Sequence, residues 1–228
     1  HTMNEIGRLR EISFRLSGGG TGKSIDIDEF DIDPHTPYKQ LLVWDPKDQE
    51  IIGGYRYIQC TGLDIKKMAT HELFEFSDKF KDDYLPFTIE LGRSFIQPNY
   101  QGTNIKHKGL YSLDNLWDGL GALVVKYPKI RYFFGKVTMY TSYNLRARNI
   151  LLNFLNTFFP DDEHLVTPYE PLDFDSTNPY YKELFNLNDY KESYKTLSKE
   201  VRTLGENIPP LINSYMNLSP SMKVFGTS

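Results

Sequence analysis

The sequence has little of what marks several large classes of protein. Its 228 residues include one cysteine, Cys60, which excludes an internal disulfide framework and fits a reducing compartment. Its apolar runs are too short to cross a bilayer, and its first residues carry no signal-peptide pattern. A net charge of −4 gives no general reason to expect a nucleic-acid partner. We expect a cytoplasmic enzyme or binding domain with no metal site and no tightly bound cofactor.

The chain does contain a clear alternation of helix and strand patterns. Apolar spacing predicts helices over 4–17, 112–127, 144–159 and 189–205, and strands over 38–45, 50–59, 87–97 and 131–140. A hairpin comes first and strand–helix crossovers follow, which is typical of a mixed α/β (α+β) sheet rather than a doubly wound one. The glycine pair Gly53-Gly54 predicts a bulge or a close backbone approach inside its strand.

The stretch "SGGGTGKS" (17–24) resembles a phosphate-binding loop at its end, Gly22-Lys23-Ser24. The first glycine of such a loop is replaced by Ser17, and a helix pattern precedes the stretch where a strand is needed. The carboxylate-rich segment 25–33 follows and would repel phosphate. The pattern therefore favours a glycine linker after a helix over a nucleotide site.

The stretch "ELGRSFIQPNYQG" (90–102) is the most informative one for chemistry. Glu90 lies in an otherwise apolar strand, where burial would raise its pKa and suit it to general-base work. Strand alternation puts Glu90 and Gly92 on one face and Leu91 and Arg93 on the other, unless a bulge intervenes. The alternative is a salt bridge from Glu90 to Arg93 or Arg56 that only braces the sheet.

Four segments together resemble the GNAT (acyl-CoA N-acyltransferase) superfamily over roughly residues 5–170. Within it, the chain is similar to the branch that makes ornithine and glycine lipids from acyl carrier protein thioesters, often labelled "putative hemolysin" and related to acyl-homoserine-lactone synthases. The segments that carry the resemblance are "RLREISFR" (8–15), "DIDEFD" (26–31), "GGYRY" (53–57) and "ELGRSF" (90–95).

The resemblance implies a fold, a domain plan and roles for individual residues. The fold would be a mixed central sheet with splayed central strands flanked by helices. Residues 1–170 would form the acyltransferase core, and residues 171–228 a helical extension with a final strand on the same domain. Glu90 and Arg93 would be catalytic. The residues that match substrate-binding positions are Arg10, Phe14, Asp28, Asp31, Arg56 and Phe95.

The resemblance also implies the co-substrates. A fatty acyl group would pass from acyl carrier protein or coenzyme A to the amine of an amino acid such as ornithine or glycine. Arg56 or Arg10 would bind the acceptor carboxylate, while Asp28 and Asp31 would either bind its ammonium group or cap a loop. Without an enzyme-bound intermediate, Cys60 has no required role.

The segment after the Glu90 strand favours the carrier protein as donor. "PNYQGTN" (98–104) lacks the second small residue of the coenzyme A pyrophosphate loop. Residues 104–150 carry eight Lys or Arg against Asp114 and Asp118, a net +6 that suits an acidic carrier protein. Scattered surface lysines would give the same count.

Three other functions compete with this prediction. A glycerolipid O-acyltransferase needs an H-x-x-x-x-D motif, and none of the five histidines has an aspartate five residues on. An acyl-homoserine-lactone-type signal synthase shares the motifs. A non-enzymatic, membrane-active "hemolysin" would use the apolar helix 144–159 on a membrane, although that helix follows a strand where the fold needs a core helix. An N-acyltransferase with a long-chain product would also touch the inner membrane peripherally.

Overall fold

The computed structural model describes residues 1–101, 112–174 and 178–228, with nothing stated for the side chains of residues 112–114 and 182. The helices are α1 (Thr2–Leu16), α2 (Glu29–Ile32), α3 (Ser112–Lys126), α4 (Leu145–Phe158), α5 (Pro179–Leu184), α6 (Tyr190–Thr203) and α7 (Pro210–Leu218). The strands are β1 (Lys39–Asp45), β2 (Glu50–Gln59), β3 (Phe74–Phe76), β4 (Thr88–Ile96), β5 (Tyr132–Gly135) and β6 (Val166–Pro168).

Two compact units make up the described chain. Unit 1 comprises residues 1–72 and 81–136, and unit 2 comprises residues 73–80 and 137–228. Residues 137–170, which the sequence analysis assigned to the core, belong with the C-terminal residues in unit 2.

Unit 1 is built on a four-stranded mixed sheet in the order β1-β2-β4-β5. The pairs β1–β2 and β2–β4 are antiparallel, whereas β4–β5 is parallel. This confirms the predicted mixed sheet flanked by helices. The glycine pair also behaves as predicted, because a Cβ on Gly54 would lie 2.6 Å from the carbonyl oxygen of Leu41.

Both faces of this sheet are covered, which is why β2 is buried over almost its whole length. Leu116, Leu120 and Leu123 of α3 pack on the face that carries Tyr55 and Tyr57. On the other face, Ile6 and Leu9 of α1 pack with Ile51 and Phe95. The sheet is thereby held between two helices.

The β4–β5 pairing is short. It joins Thr88–Leu91 to Tyr132–Gly135 and then stops, while β4 continues to Ile96. The sequence predicted a strand as far as residue 140, but β5 and its pairing with β4 both end at Gly135. Beyond Leu91, β4 therefore keeps β2 as a neighbour and has no β5 partner.

Unit 2 has an aromatic core around α4, which packs against α6. Ile150, Leu151 and Phe154 of α4 are fully buried there. The prediction that this helix is a core helix rather than a membrane-surface helix is thus confirmed. Residues 222–228 form backbone hydrogen bonds at Met222, Val224 and Thr227, but no strand ladder, so the predicted final strand is not present.

Candidate active site

A β-bulge shapes β4 just past the point where β5 leaves it. Gly54 pairs with Phe95 and Arg56 pairs with Gly92, so Arg93 and Ser94 both lie opposite Tyr55. Arg93 has a φ of 49°, a left-handed conformation that costs a non-glycine residue energy and recurs at functional sites.

The bulge turns Arg93 toward the face of the sheet that carries Glu90. Its guanidinium lies 3.1 Å from carboxylate oxygens of both Asp26 and Asp28. Simple alternation had put Arg93 on the opposite face; the extra residue in β4 is the physical reason for the difference.

Arg93 belongs to a group of six side chains that we call the arginine–aspartate cluster. Its members come from α1, α2, β2, β4 and the loop before α2. They are Arg10, Asp26, Asp28, Asp31, Arg56 and Arg93. Three positive and three negative charges make the cluster neutral as a whole.

Arg56 is the central member of the cluster. Its guanidinium donates to both carboxylate oxygens of Asp28 at 2.6 Å and to Asp31 at 3.4 Å. Burial opposes ionisation of Asp28, but this hydrogen-bonded contact with Arg56 outweighs it, so the pKa of Asp28 is lowered. Asp28 and Asp31 also cap α2 reciprocally, which is the loop-capping alternative of the sequence analysis.

Arg10 is fully buried and already engaged. It donates to Asp31 at 2.9 Å and to the side-chain oxygen of Gln40 at 2.7 Å. These contacts hold α1 against α2 and β1. They leave this guanidinium no exposed surface for an acceptor carboxylate.

Glu90 occupies a separate pocket on the same face of the sheet. The side chain is 1% exposed. Its carboxylate accepts the Thr70 N–H at 2.9 Å, the Ala69 N–H at 3.2 Å and the Tyr38 hydroxyl. We call these four residues the Glu90 pocket. Within the described residues Glu90 forms no ion pair, so the salt-bridge alternative is not seen.

Burial raises the pKa of Glu90 above its ordinary value, and the hydrogen bonds from Tyr38 and Thr70 and the charge of Arg56 only partly offset this effect. Burial beside that carboxylate also raises the pKa of Tyr38. Burial raises the pKa of the nearby Cys60 thiol to about 12, which makes it a poor nucleophile.

Phe14 and Phe95 lie near this face without lining an open site. Phe95 is 4% exposed and packs in the α1–sheet core, with Phe14 partly buried against it. Their assignment to substrate binding stays a prediction.

The sequence analysis did not identify Tyr38, Thr70 or Asp26. Tyr38 and Thr70 lie outside all the motifs. Asp26 lies inside "DIDEFD", but only its contact with Arg93 in the folded chain distinguishes it from the other carboxylates of that motif. Arg56 connects the arginine–aspartate cluster with the Glu90 pocket, because its guanidinium carbon lies 5.0 Å from the centre of the Tyr38 ring.

The glycine-rich stretch 17–24 is held by hydrogen bonds to Glu11 of α1. The Glu11 carboxylate accepts the N–H groups of Thr21 and Gly22 at 2.8 Å and 3.0 Å and also the Thr21 hydroxyl. These bonds lower the pKa of Glu11 to about 2. The loop donors that a phosphate would need are thus satisfied by the chain's own carboxylate.

The parallel β4–β5 ladder, which ends one residue past the buried Glu90, is consistent with the acyltransferase fold that the sequence resemblance implies. A sequence profile of the acetyltransferase (GNAT) domain matches residues 9–108. The chain is 55% identical to a glycine N(alpha)-acyltransferase of Bacteroides thetaiotaomicron and 52% identical to one of Phocaeicola vulgatus. These matches cover the whole chain and 69% and 71% of the two relatives.

The chain therefore belongs to the GNAT family of N-acyltransferases and is an acyltransferase enzyme. No solved structure matches it. Within the described ranges, no helix has the length and apolarity needed to cross a membrane.

Proposed function

We propose that this enzyme transfers a fatty acyl group from a thioester to the amine of glycine, as a step in the synthesis of an amino-acid lipid. The observation that carries the proposal is the buried Glu90 beside the opening between β4 and β5. The names of the two relatives support glycine as the acceptor.

The opening between β4 and β5 suits the pantetheine arm of a thioester. Residues 92–96 of β4 have no β5 partner, so backbone groups on that side are free of strand pairing within the described chain. The arm contains two amides and can pair with such an edge as an added strand. Its thioester would then lie near Arg93, where the bulge redirects the backbone.

Glu90 would remove the proton that the acceptor must lose. The glycine amine is mostly protonated at neutral pH and cannot attack until it is neutral. The raised pKa of Glu90 suits this task, and because the carboxylate is covered, a water or the Tyr38 hydroxyl would carry the proton.

The chemical step then balances without an enzyme-bound intermediate. The amine nitrogen forms a bond to the thioester carbon, and the carbonyl oxygen becomes an oxyanion that backbone N–H groups at the bulge could stabilise. The carbon–sulfur bond breaks, and the sulfur leaves as a thiolate that takes up the second proton lost by the nitrogen. The first proton, taken by Glu90 before the attack, passes to solvent.

The donor is proposed to be acyl carrier protein, with coenzyme A as the alternative. Of the basic residues counted in the sequence, Lys106 and Lys108 lie outside the described residues. Arg131 lies over Phe87, at the start of the β4–β5 ladder and away from the opening. A basic face that attracts the acidic carrier protein to the opening would therefore consist of residues other than Arg131. Peripheral membrane contact is likewise proposed from the lipid nature of the product.

The test is acyl transfer by the purified chain, followed by mass spectrometry. Long-chain acyl carrier protein and long-chain acyl-coenzyme A are each offered with glycine or ornithine. We expect N-acylglycine, with a higher kcat/KM from the carrier protein. N-acylornithine as the main product would reject glycine as acceptor. Vesicle leakage without any acyl transfer would favour the membrane-active alternative.

A further inference from the structure

Lys136 lies at the place where β5 ends and the opening begins. Gly135 pairs with Leu91 in the last rung of the parallel ladder, and Lys136 follows it. Phe134 pairs with Glu90, and side chains two residues apart point to the same face of a strand. If the chain stays extended, Lys136 therefore faces the same side of the sheet as Glu90.

Electrostatics agree with that placement. Lys136 is exposed to solvent, yet surrounding protein lowers the pKa of its ammonium group. The charged groups that act on it are Glu72, Arg93, Glu90 and Arg56. An ammonium that is both accessible and partly desolvated is typical of a residue at the edge of a cleft.

The other cations near Glu90 already have partners. The arginine–aspartate cluster is neutral, and its three guanidinium groups are held by three carboxylates. Lys136 takes part in none of the ion pairs of the described residues of unit 1. It is accordingly the cation best placed to receive an anion from solution.

We propose that Lys136 binds the carboxylate of the amino-acid acceptor and so makes the enzyme selective for acceptors that carry one. The inference rests on the proposed function. In glycine one methylene separates the amine from the carboxylate, so the cation that holds the carboxylate must lie close to the base that deprotonates the amine. Lys136, directly after the last rung of the β4–β5 ladder, would supply that cation, while Glu90 would supply the base from β4.

The experiment compares glycine with glycinamide, which keeps the amine and lacks the carboxylate. Lys136→Met and the control Lys47→Met, in the exposed β1–β2 turn, are measured with the same acyl donor. We expect Lys136→Met to raise KM for glycine by about 10–100-fold, the usual size of a lost charged hydrogen bond, with little change in kcat. With glycinamide, the KM and kcat of Lys136→Met should match those of the unaltered enzyme. Lys47→Met should match the unaltered enzyme with both acceptors.

The possible results distinguish a failure of the proposed role of Lys136 from a failure of the proposed function. An unchanged KM for glycine in Lys136→Met, or an equal loss with glycine and glycinamide, would overturn the role of Lys136 and leave the proposed function standing. Failure of the unaltered enzyme to acylate glycine from either donor would overturn the proposed function, and this inference with it. Recovery of most glycine selectivity in Lys136→Arg would support a carboxylate contact.

Discussion

The arginine–aspartate cluster and the Glu90 pocket stabilise buried charge in different ways. In the cluster, each buried ion faces an opposite ion, with contacts of 2.6 Å to 3.4 Å around Arg56. In the Glu90 pocket, the carboxylate accepts hydrogen bonds from neutral donors, namely a hydroxyl and two backbone N–H groups. Burial then raises the pKa of Glu90, whereas ion pairing lowers that of Asp28.

This difference indicates that the arginine–aspartate cluster and the Glu90 pocket have different roles. A neutralised cluster holds α1, α2, β2 and β4 in a fixed arrangement. A buried carboxylate with a raised pKa takes up a proton more readily and can take part in acid–base chemistry. We expect substitutions in the pocket to affect the rate most, and those in the cluster to affect stability most.

The largest effect is expected from Glu90→Gln, which removes the carboxylate of the Glu90 pocket. We expect a loss of about 10²–10⁴-fold in kcat, the range of general-base catalysis, because the amide keeps the size and loses the proton-accepting charge. Steady-state acyl transfer to glycine measures it, with circular dichroism as a check on folding. Glu50→Gln, at the exposed start of β2, is the control. A folded Glu90→Gln enzyme with full activity would remove Glu90 from the mechanism.

The second substitution, Arg56→Met, addresses the cluster. Removal of the guanidinium leaves Asp28 without its nearest counter-ion and Asp31 without its second one, and breaking a buried pair costs about 3–5 kcal/mol. Urea unfolding measures this change. The matched control is Arg8→Met, because Arg8 pairs with Glu5 in an exposed salt bridge of the kind worth about 0–1 kcal/mol. Similar losses in both variants would show that the cluster is not a structural brace.

The smallest effect is expected from Tyr38→Phe, which tests the Glu90 pocket through the pH dependence of kcat. Activity requires ionised Glu90, so it falls as the pH drops through the raised pKa of that group. The Tyr38 hydroxyl favours the ionised form, and its removal should raise this pKa further. We expect the acid limb of the kcat profile to move up by on the order of one pH unit.

Tyr57→Phe serves as the control for this shift, since Tyr57 is buried on the other face of the sheet. An acid limb that stays in place in Tyr38→Phe, or moves equally in both variants, would mean that Glu90 is not the group that titrates.

Much of the sheet could be predicted from local patterns. The bounds of β2 match the prediction, and those of β4 and α3 differ from it by one residue at most at each end, because apolar periodicity and the flanking turns define them. The burial of Glu90 followed from its position in an apolar strand. The short strands β3 and β6 gave no comparable signal, since three residues are too few to show alternation.

The contacts of the site depended on features with no local signature. Tyr38 reaches Glu90 across 52 positions of sequence, and nothing around Tyr38 indicates this contact. The orientation of Arg93 depends on a bulge defined by the pairing of β4 with β2. Register between strands is a property of two segments at once, so neither segment alone specifies it.

The sequence by itself determined the element order, the mixed sheet, the buried carboxylate and the resemblance to an acyltransferase family. The tertiary structure alone decided that three arginines are neutralised by three aspartates, that Glu90 is left with neutral donors, and that Lys136 follows the last rung beside the opening. The physical reason is that chain periodicity sets which residues are buried, whereas the pKa and the free surface of each charged group depend on neighbours brought close only by folding.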